Sequence, residues 1–176
     1  MFTAKILADY AILVVPLLLL LGWVKGTIAS RKLMLEATAS ALLGLFIAQL
    51  IGLVWQHPRH FMIGMGQTLI AHAADSSFPS DHLTVLWAVA STFLPRRRLR
   101  VAGLSLAVFG LPIAWARIYL GVHFPFDMLG AAIVGAIGAW VCFLARGWHV
   151  APALSLFTAI YSFVFANLIR RGWVRP

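Results

Sequence analysis

Charge is what this sequence has least of. Among 176 residues only five are Asp or Glu and 11% carry any charge, whereas 62% are hydrophobic. With a mean hydropathy of +0.93, the chain falls outside the range of a soluble globular domain. Cysteine is nearly missing too. Cys142 is alone, which excludes an intramolecular disulfide and a cysteine-built metal cluster, and its place inside an apolar run reads as a small apolar residue. Internal repeats, low-complexity tracts and polar linkers are absent, so residues 1–176 read as one integral membrane domain without a soluble partner domain.

What is present is a series of apolar runs: Leu7 to Val24, Leu35 to Trp55, His82 to Leu94, Val101 to Leu120, Phe126 to Ala145 and Val150 to Ile169. Most approach the roughly 20 residues that cross a bilayer as helix. They predict an all-α bundle of six transmembrane helices. The third run reaches spanning length only if its helix begins near Pro79 and continues to Pro95. The first run lacks a basic start and a small-residue cleavage site and is soon followed by a second, so it reads as a retained span rather than a signal peptide.

The net charge of +9 would suit nucleic acid, but the basic residues sit in short connections instead of on one face. Six crossings put the 25–34, 95–100 and 146–149 connections on one side. These carry Lys25, Arg31, Lys32, Arg96, Arg97, Arg98, Arg100 and Arg146, eight of the 14 Lys and Arg. By the positive-inside rule that side is cytoplasmic. Lys5, Arg59, Arg117, Arg170, Arg171 and Arg175 lie on the other side, with the 56–81 segment and the 121–125 turn.

Ionisable residues beside lipid need a function or a partner, and here they gather on that outer side. Arg117 is near the end of the fourth run, Gly121 and Pro125 mark a turn, and His123 lies within it. Asp127, at the start of the next helix, is placed to accept from one ring nitrogen of His123 and leave the other free as a nucleophile. A snorkelling Arg, an interfacial His and a capping Asp would leave the same pattern. Upstream, Pro79-Ser80-Asp81-His82 is a helix start with Ser80 or Asp81 as N-cap, whose free N–H groups suit a phosphate oxygen and whose His82 suits a general acid. Simple capping explains those residues equally. His57, His60 and His72 lack the i, i+4 spacing of a helical metal site. Haem ligation would place His within the spans and a transporter would place polar groups at mid-span, where Gln49 is the clearest example.

Together the two clusters resemble the type 2 phosphatidic acid phosphatase superfamily, which includes the vanadium-dependent haloperoxidases. Its Pro-Ser-Gly-His signature is similar to Pro79-Ser80-Asp81-His82. Its Arg, five residues, His, three residues, Asp signature matches Arg117, His123 and Asp127. The Lys and Arg-Pro signature is represented by Arg59, followed by His60, with Gly52 where the Lys would stand. The stretch from His57 through Ile63-Gly64-Met65-Gly66 and His72 to His82, including Ser-Asp-His, resembles the bacitracin-resistance type of undecaprenyl-diphosphatase.

That resemblance implies a metal-free, cofactor-free phosphatase in the bacterial cytoplasmic membrane with its site facing outward. Its substrate would be a polyprenyl diphosphate, with lipid phosphomonoesters such as phosphatidylglycerophosphate or lipid A phosphate as the alternative. His123 would form a phosphohistidine, Asp127 would orient it, His82 would protonate the leaving oxygen, and Arg59, Arg117 and Ser80 would hold phosphoryl oxygens.

Overall fold

The computed structural model describes residues 1–65 and 67–174, so Gly66 and Arg175 lie outside the described residues. The helices are α1 (Phe2–Asp9), α2 (Val14–Val24), α3 (Ile28–Val54), α4 (Asp81–Phe93), α5 (Arg100–Tyr119), α6 (Pro125–Val164) and α7 (Ala166–Arg170). Single 3₁₀ turns occupy Ala11–Leu13 and His60–Ile63. The protein is all-helical as its apolar runs predict, but the helices are not the six spans expected.

Among the described residues three helices, α3, α5 and α6, are long and apolar enough to cross a membrane, and the pair Phe2–Asp9 with Ala11–Val24, bent by 41°, makes a fourth if it counts as one span. The first run is therefore interrupted near Tyr10. The third run is α4, whose 13 residues span only about 20 Å at 1.5 Å per residue. It is a core helix: Leu83, Leu86, Ala88, Val89 and Phe93 are all fully buried. Its apolarity serves protein packing on all sides.

The largest departure is α6, a single helix of 40 residues that joins the expected fifth and sixth runs. The 146–149 segment is helical, not a connection. Arg146 and His149 interrupt hydropathy without interrupting the backbone, Gly147 alone costs a helix only about 1 kcal/mol, and His149 returns a ring nitrogen to the Ala145 carbonyl at 2.9 Å. Pro152 stands inside the helix, where it removes one backbone bond without ending the run.

Helix α4 lies at the centre, against α3, α5 and α6. Gly135 explains how closely α6 approaches: a Cβ there would meet the Ala88 nitrogen at 2.8 Å and the Thr84 carbonyl oxygen at 2.9 Å. Small residues are the usual means of bringing backbones together where lipid gives helices no hydrophobic drive to associate. Because α3 and α4 run antiparallel, Gln49 reaches Asp81 at one end and Glu36 reaches Arg96 at the other. The first end also receives the α5–α6 turn and the 55–80 segment. It is the end that carries the site.

Candidate active site

The turn between α5 and α6 fixes the central group. Gly121 at φ 73° closes the end of α5, a conformation that favours glycine. Its backbone also passes so near the 67–68 segment that a Cβ would lie 2.5 Å from the Gln67 carbonyl. Pro125 then starts α6 in the position where a missing N–H costs nothing. Asp127, in the first turn, accepts the Phe124 N–H at 2.8 Å and the Nδ1–H of His123 at 3.1 Å, both through Oδ2. The capping role and the imidazole-holding role thus reside in one oxygen. His123 and Asp127 are both buried, Asp127 completely.

With Nδ1 donating to the carboxylate, Nε2 of His123 keeps its lone pair. It lies 3.3 Å from Nη2 of Arg117. Burial is the main force that lowers the His123 pKa, to about 4, and Arg117 and Arg59 push the same way, against the hydrogen bond and charge of Asp127. The ring is therefore neutral and nucleophilic at pH 7. Arg117 is itself anchored by Nη1 to the Ala8 carbonyl at 2.8 Å, while its Nε is buried without a partner among the described residues. Ala8 is in the last turn of α1, where carbonyls lack helical partners, so the break at Tyr10 frees an acceptor for the site.

Arg59 is held differently. It donates through Nε to Asp75 at 2.8 Å, through Nη1 to the Val122 carbonyl at 2.7 Å and through Nη2 to the Ser76 carbonyl at 3.1 Å. It ties the irregular segment to the His123 turn, with its charge offset by Asp75. Among the described residues Arg117 has no carboxylate at that range, and it is the less committed cation.

A cavity of about 500 Å³ opens here, lined by Arg59, Arg117, His123, His72, His82 and Asp81, among others. The wall from α3 includes Gly52, so the position where the resemblance would have a Lys presents no cation. Ser80 precedes α4 as its N-cap residue, but its hydroxyl makes no capping bond and is buried without a partner among the described residues. Its backbone N–H donates to the Asp127 carbonyl at 3.3 Å, which couples the two clusters. Arg59, Ser80, His82, Arg117, His123 and Asp127 thus converge on one end of the bundle, with Asp127 and Ser80 behind the cavity wall.

Several neighbours come to this place without a catalytic or binding role assigned from the sequence. Asp75 pairs with Arg59 from 16 residues away in irregular backbone, and Gln49 donates to Asp81 at 3.0 Å from a different helix. His57 bonds Ser77 at 2.8 Å. His60 stacks on Phe124 with ring centres 3.6 Å apart. These last two frame the turn from outside.

The sequence profile of the PAP2 superfamily matches residues 33–151. Over 175 residues, 98% of this chain and 86% of the relative, the chain is 40% identical to the Escherichia coli (strain K12) protein named "Putative undecaprenyl-diphosphatase YbjG". It is 38% identical to the undecaprenyl-diphosphatase BcrC of Bacillus subtilis (strain 168), with 94% of this chain and 84% of that one covered. The crystal structure of Aquifex aeolicus LpxE superposes with a TM-score of 0.62 over 80% of each chain at 22% identity, a likeness of fold.

Proposed function

The chain belongs to the PAP2 superfamily, and on that premise we propose that it hydrolyses undecaprenyl diphosphate to undecaprenyl phosphate and inorganic phosphate. It is a phosphatase of the kind its relatives are named for. The observation that carries the reading is the buried His123, with Asp127 on one ring nitrogen and Arg117 facing the other, at the wall of a cavity.

On this reading Nε2 of His123 attacks the terminal phosphorus. The bond to the bridging oxygen breaks, undecaprenyl phosphate departs, and the phosphoryl group rests on His123 with Nδ1–H still held by Asp127. Arg117 turns from the imidazole lone pair to the phosphoryl oxygens, where a preorganised cation stabilises spreading charge. The backbone N–H groups opening α4 serve the same oxygens, and Ser80, behind the wall, contributes its unpartnered hydroxyl on this reading only by turning toward them. Arg59 contributes positive potential and holds the turn in place. His82, on the first turn of α4, is neutral in the free site, where burial first and then Arg117 lower its pKa to about 4; beside the negative charge of the bound diphosphate it takes up a proton and passes it to the leaving oxygen. Water then cleaves the P–N bond and returns the electron pair to Nε2.

The apolar helices make this a membrane protein. We assign it to the bacterial cytoplasmic membrane with the cavity facing outward, because Lys25, Lys32, Arg96, Arg97, Arg98 and Arg100 are at or beside the connections of the opposite end. The whole described chain acts as one domain on this view, its substrate a polyprenyl diphosphate drawn from the bilayer. The test is phosphate release by purified protein, in EDTA, from undecaprenyl diphosphate against phosphatidylglycerophosphate. The diphosphate should be preferred at least tenfold. Preference for the monoester would reassign the substrate class, and loss of all activity in EDTA would reject the metal-free mechanism.

A further inference from the structure

A second His–Asp pair faces the first across the cavity, and the mechanism above uses neither of its members. His72 and Asp75 lie in the irregular segment before α4, with Nδ1 of His72 3.9 Å from Oδ1 of Asp75. The His72 ring centre is 6.4 Å from that of His123, with the planes at 78°. Both residues line the cavity.

The tautomer of His72 follows from its neighbour. Nδ1 lies 3.3 Å from the carbonyl oxygen of Ala73, and a carbonyl only accepts, so Nδ1 carries the hydrogen and Nε2 keeps a lone pair. Burial first, and then the charge of Arg59, lower its pKa from the ordinary 6.5. The ring is a neutral base at pH 7. The two half-reactions differ in what they ask of such a base. A departing phosphate monoester needs little protonation, because its second pKa is about 6, whereas a water attacking phosphorus must surrender a proton as the new bond forms.

We propose that His72 is the general base of the second half-reaction, taking a proton from the water that hydrolyses phosphorylated His123. This rests on the phosphohistidine reading above. At 6.4 Å between ring centres the rings are too close to hold a phosphoryl group and a water in one line, so His72 meets the water that attacks phosphorylated His123 from the side of the P–N axis, by direct hydrogen bond. As the water oxygen bonds to phosphorus, the P–N bond breaks and its electrons return to Nε2 of His123. The water proton passes to Nε2 of His72, and the imidazolium so formed is stabilised by Asp75 until it discharges to solvent. Arg59 holds Asp75 in position for this through Nε at 2.8 Å. His82 keeps the separate task of serving the leaving oxygen in the first half-reaction.

The experiment is rapid mixing of purified protein with undecaprenyl diphosphate labelled in its terminal phosphate, quenched in alkali, with protein-bound and released label both counted. His72→Gln should release undecaprenyl phosphate in its first turnover at a rate within about threefold of wild type. Steady-state phosphate release should fall on the order of 10²- to 10⁴-fold, the usual worth of a general base, and label should accumulate on the protein. His82→Ala should instead slow the first turnover and lower the bound label. His72→Asn, which keeps a donor for the Ala73 carbonyl, is measured beside His72→Gln. Phosphate release by either variant at the wild-type steady rate overturns the proposal, as does loss of the first turnover in both. Label on wild type with no excess on the His72 variants rejects the His72 role and leaves the phosphohistidine standing. Absence of label from every protein rejects both.

Discussion

Two groups at opposite ends of the bundle, Glu36 with Arg96 and Arg117 with His123 and Asp127, treat buried charge in opposite ways. At one end Arg96 and Glu36 meet side chain to side chain, and Arg96 also lies over the ring of Phe143. At the other, Arg117 finds a backbone carbonyl and an imidazole, Asp127 holds one oxygen in bonds and leaves the other without a partner, and Ser80 and Thr84 keep buried hydroxyls unmet among the described residues. A charge pair that cancels internally holds helices together and offers little to a ligand. An uncancelled donor beside a cavity costs stability, and an oxyanion, with several acceptor atoms and negative charge, would satisfy the Arg117 guanidinium, though not the acceptor oxygen of Asp127. These two charged groups thus differ in polar satisfaction.

The sharpest way to break the comparison is Asp127→Asn. It keeps the shape and removes the charge that fixes the His123 tautomer and supports the developing imidazolium. A triad carboxylate changed in the same way elsewhere loses about 10⁴ in rate, and a loss of that order is expected here with substrate affinity retained. A loss below tenfold would reduce Asp127 to a helix cap. Next is Arg117→Ala, which should cost about 10²–10³ in kcat, the usual worth of one preorganised donor to a developing oxyanion. Steady-state kinetics with undecaprenyl diphosphate reads both.

Acid should destabilise the protein through the buried ring of the site. Folded protein leaves His123 unprotonated down to about pH 4, whereas an unfolded chain takes that proton near 6.5. Stability from this residue is therefore complete above 6.5 and declines as pH falls from 6.5 towards 4, by at most ~3 kcal/mol. Thermal unfolding in detergent across that window should show a shallower decline for His123→Asn than for wild type. Equal slopes would contradict a neutral buried ring. The smallest effect on rate is expected at the other end: Glu36→Gln should leave kcat within about twofold while lowering stability by about 3 kcal/mol, because it leaves a partly buried Arg96 unpaired. A kcat loss above tenfold would mean that the two ends are coupled.

These regions also differed in how much the sequence disclosed. Arg117, His123 and Asp127 were readable as a unit because a helix end, a glycine turn and a proline start constrain the eleven residues from 117 to 127 almost completely. Their meeting with Ser80 and His82 was readable from the expected side of the membrane. The Gln49 contact was not, since Gln49 reaches Asp81 only through the packing of α3 on α4; Asp75 was readable as a cap or as a contact of the basic pocket, but irregular backbone has no period from which to choose between them. Hydropathy also misjudged two helices for one reason: it measures side chains, not what surrounds them or where backbone hydrogen bonds stop. Buried α4 scored like a lipid-facing span, and Arg146 and His149 scored like a loop inside continuous α6.

The central claim is that the group left uncancelled at the site end, Nε2 of His123, is the atom that takes the phosphate. The most direct measurement is to quench the turning-over protein in alkali, which preserves phosphohistidine, and to locate the added phosphoryl group by peptide mass spectrometry. It should fall on His123 and disappear, with all turnover, in His123→Ala. A phosphoryl group found on another residue, or a His123→Ala protein that still releases phosphate at more than a few percent of the wild-type rate, would contradict the account.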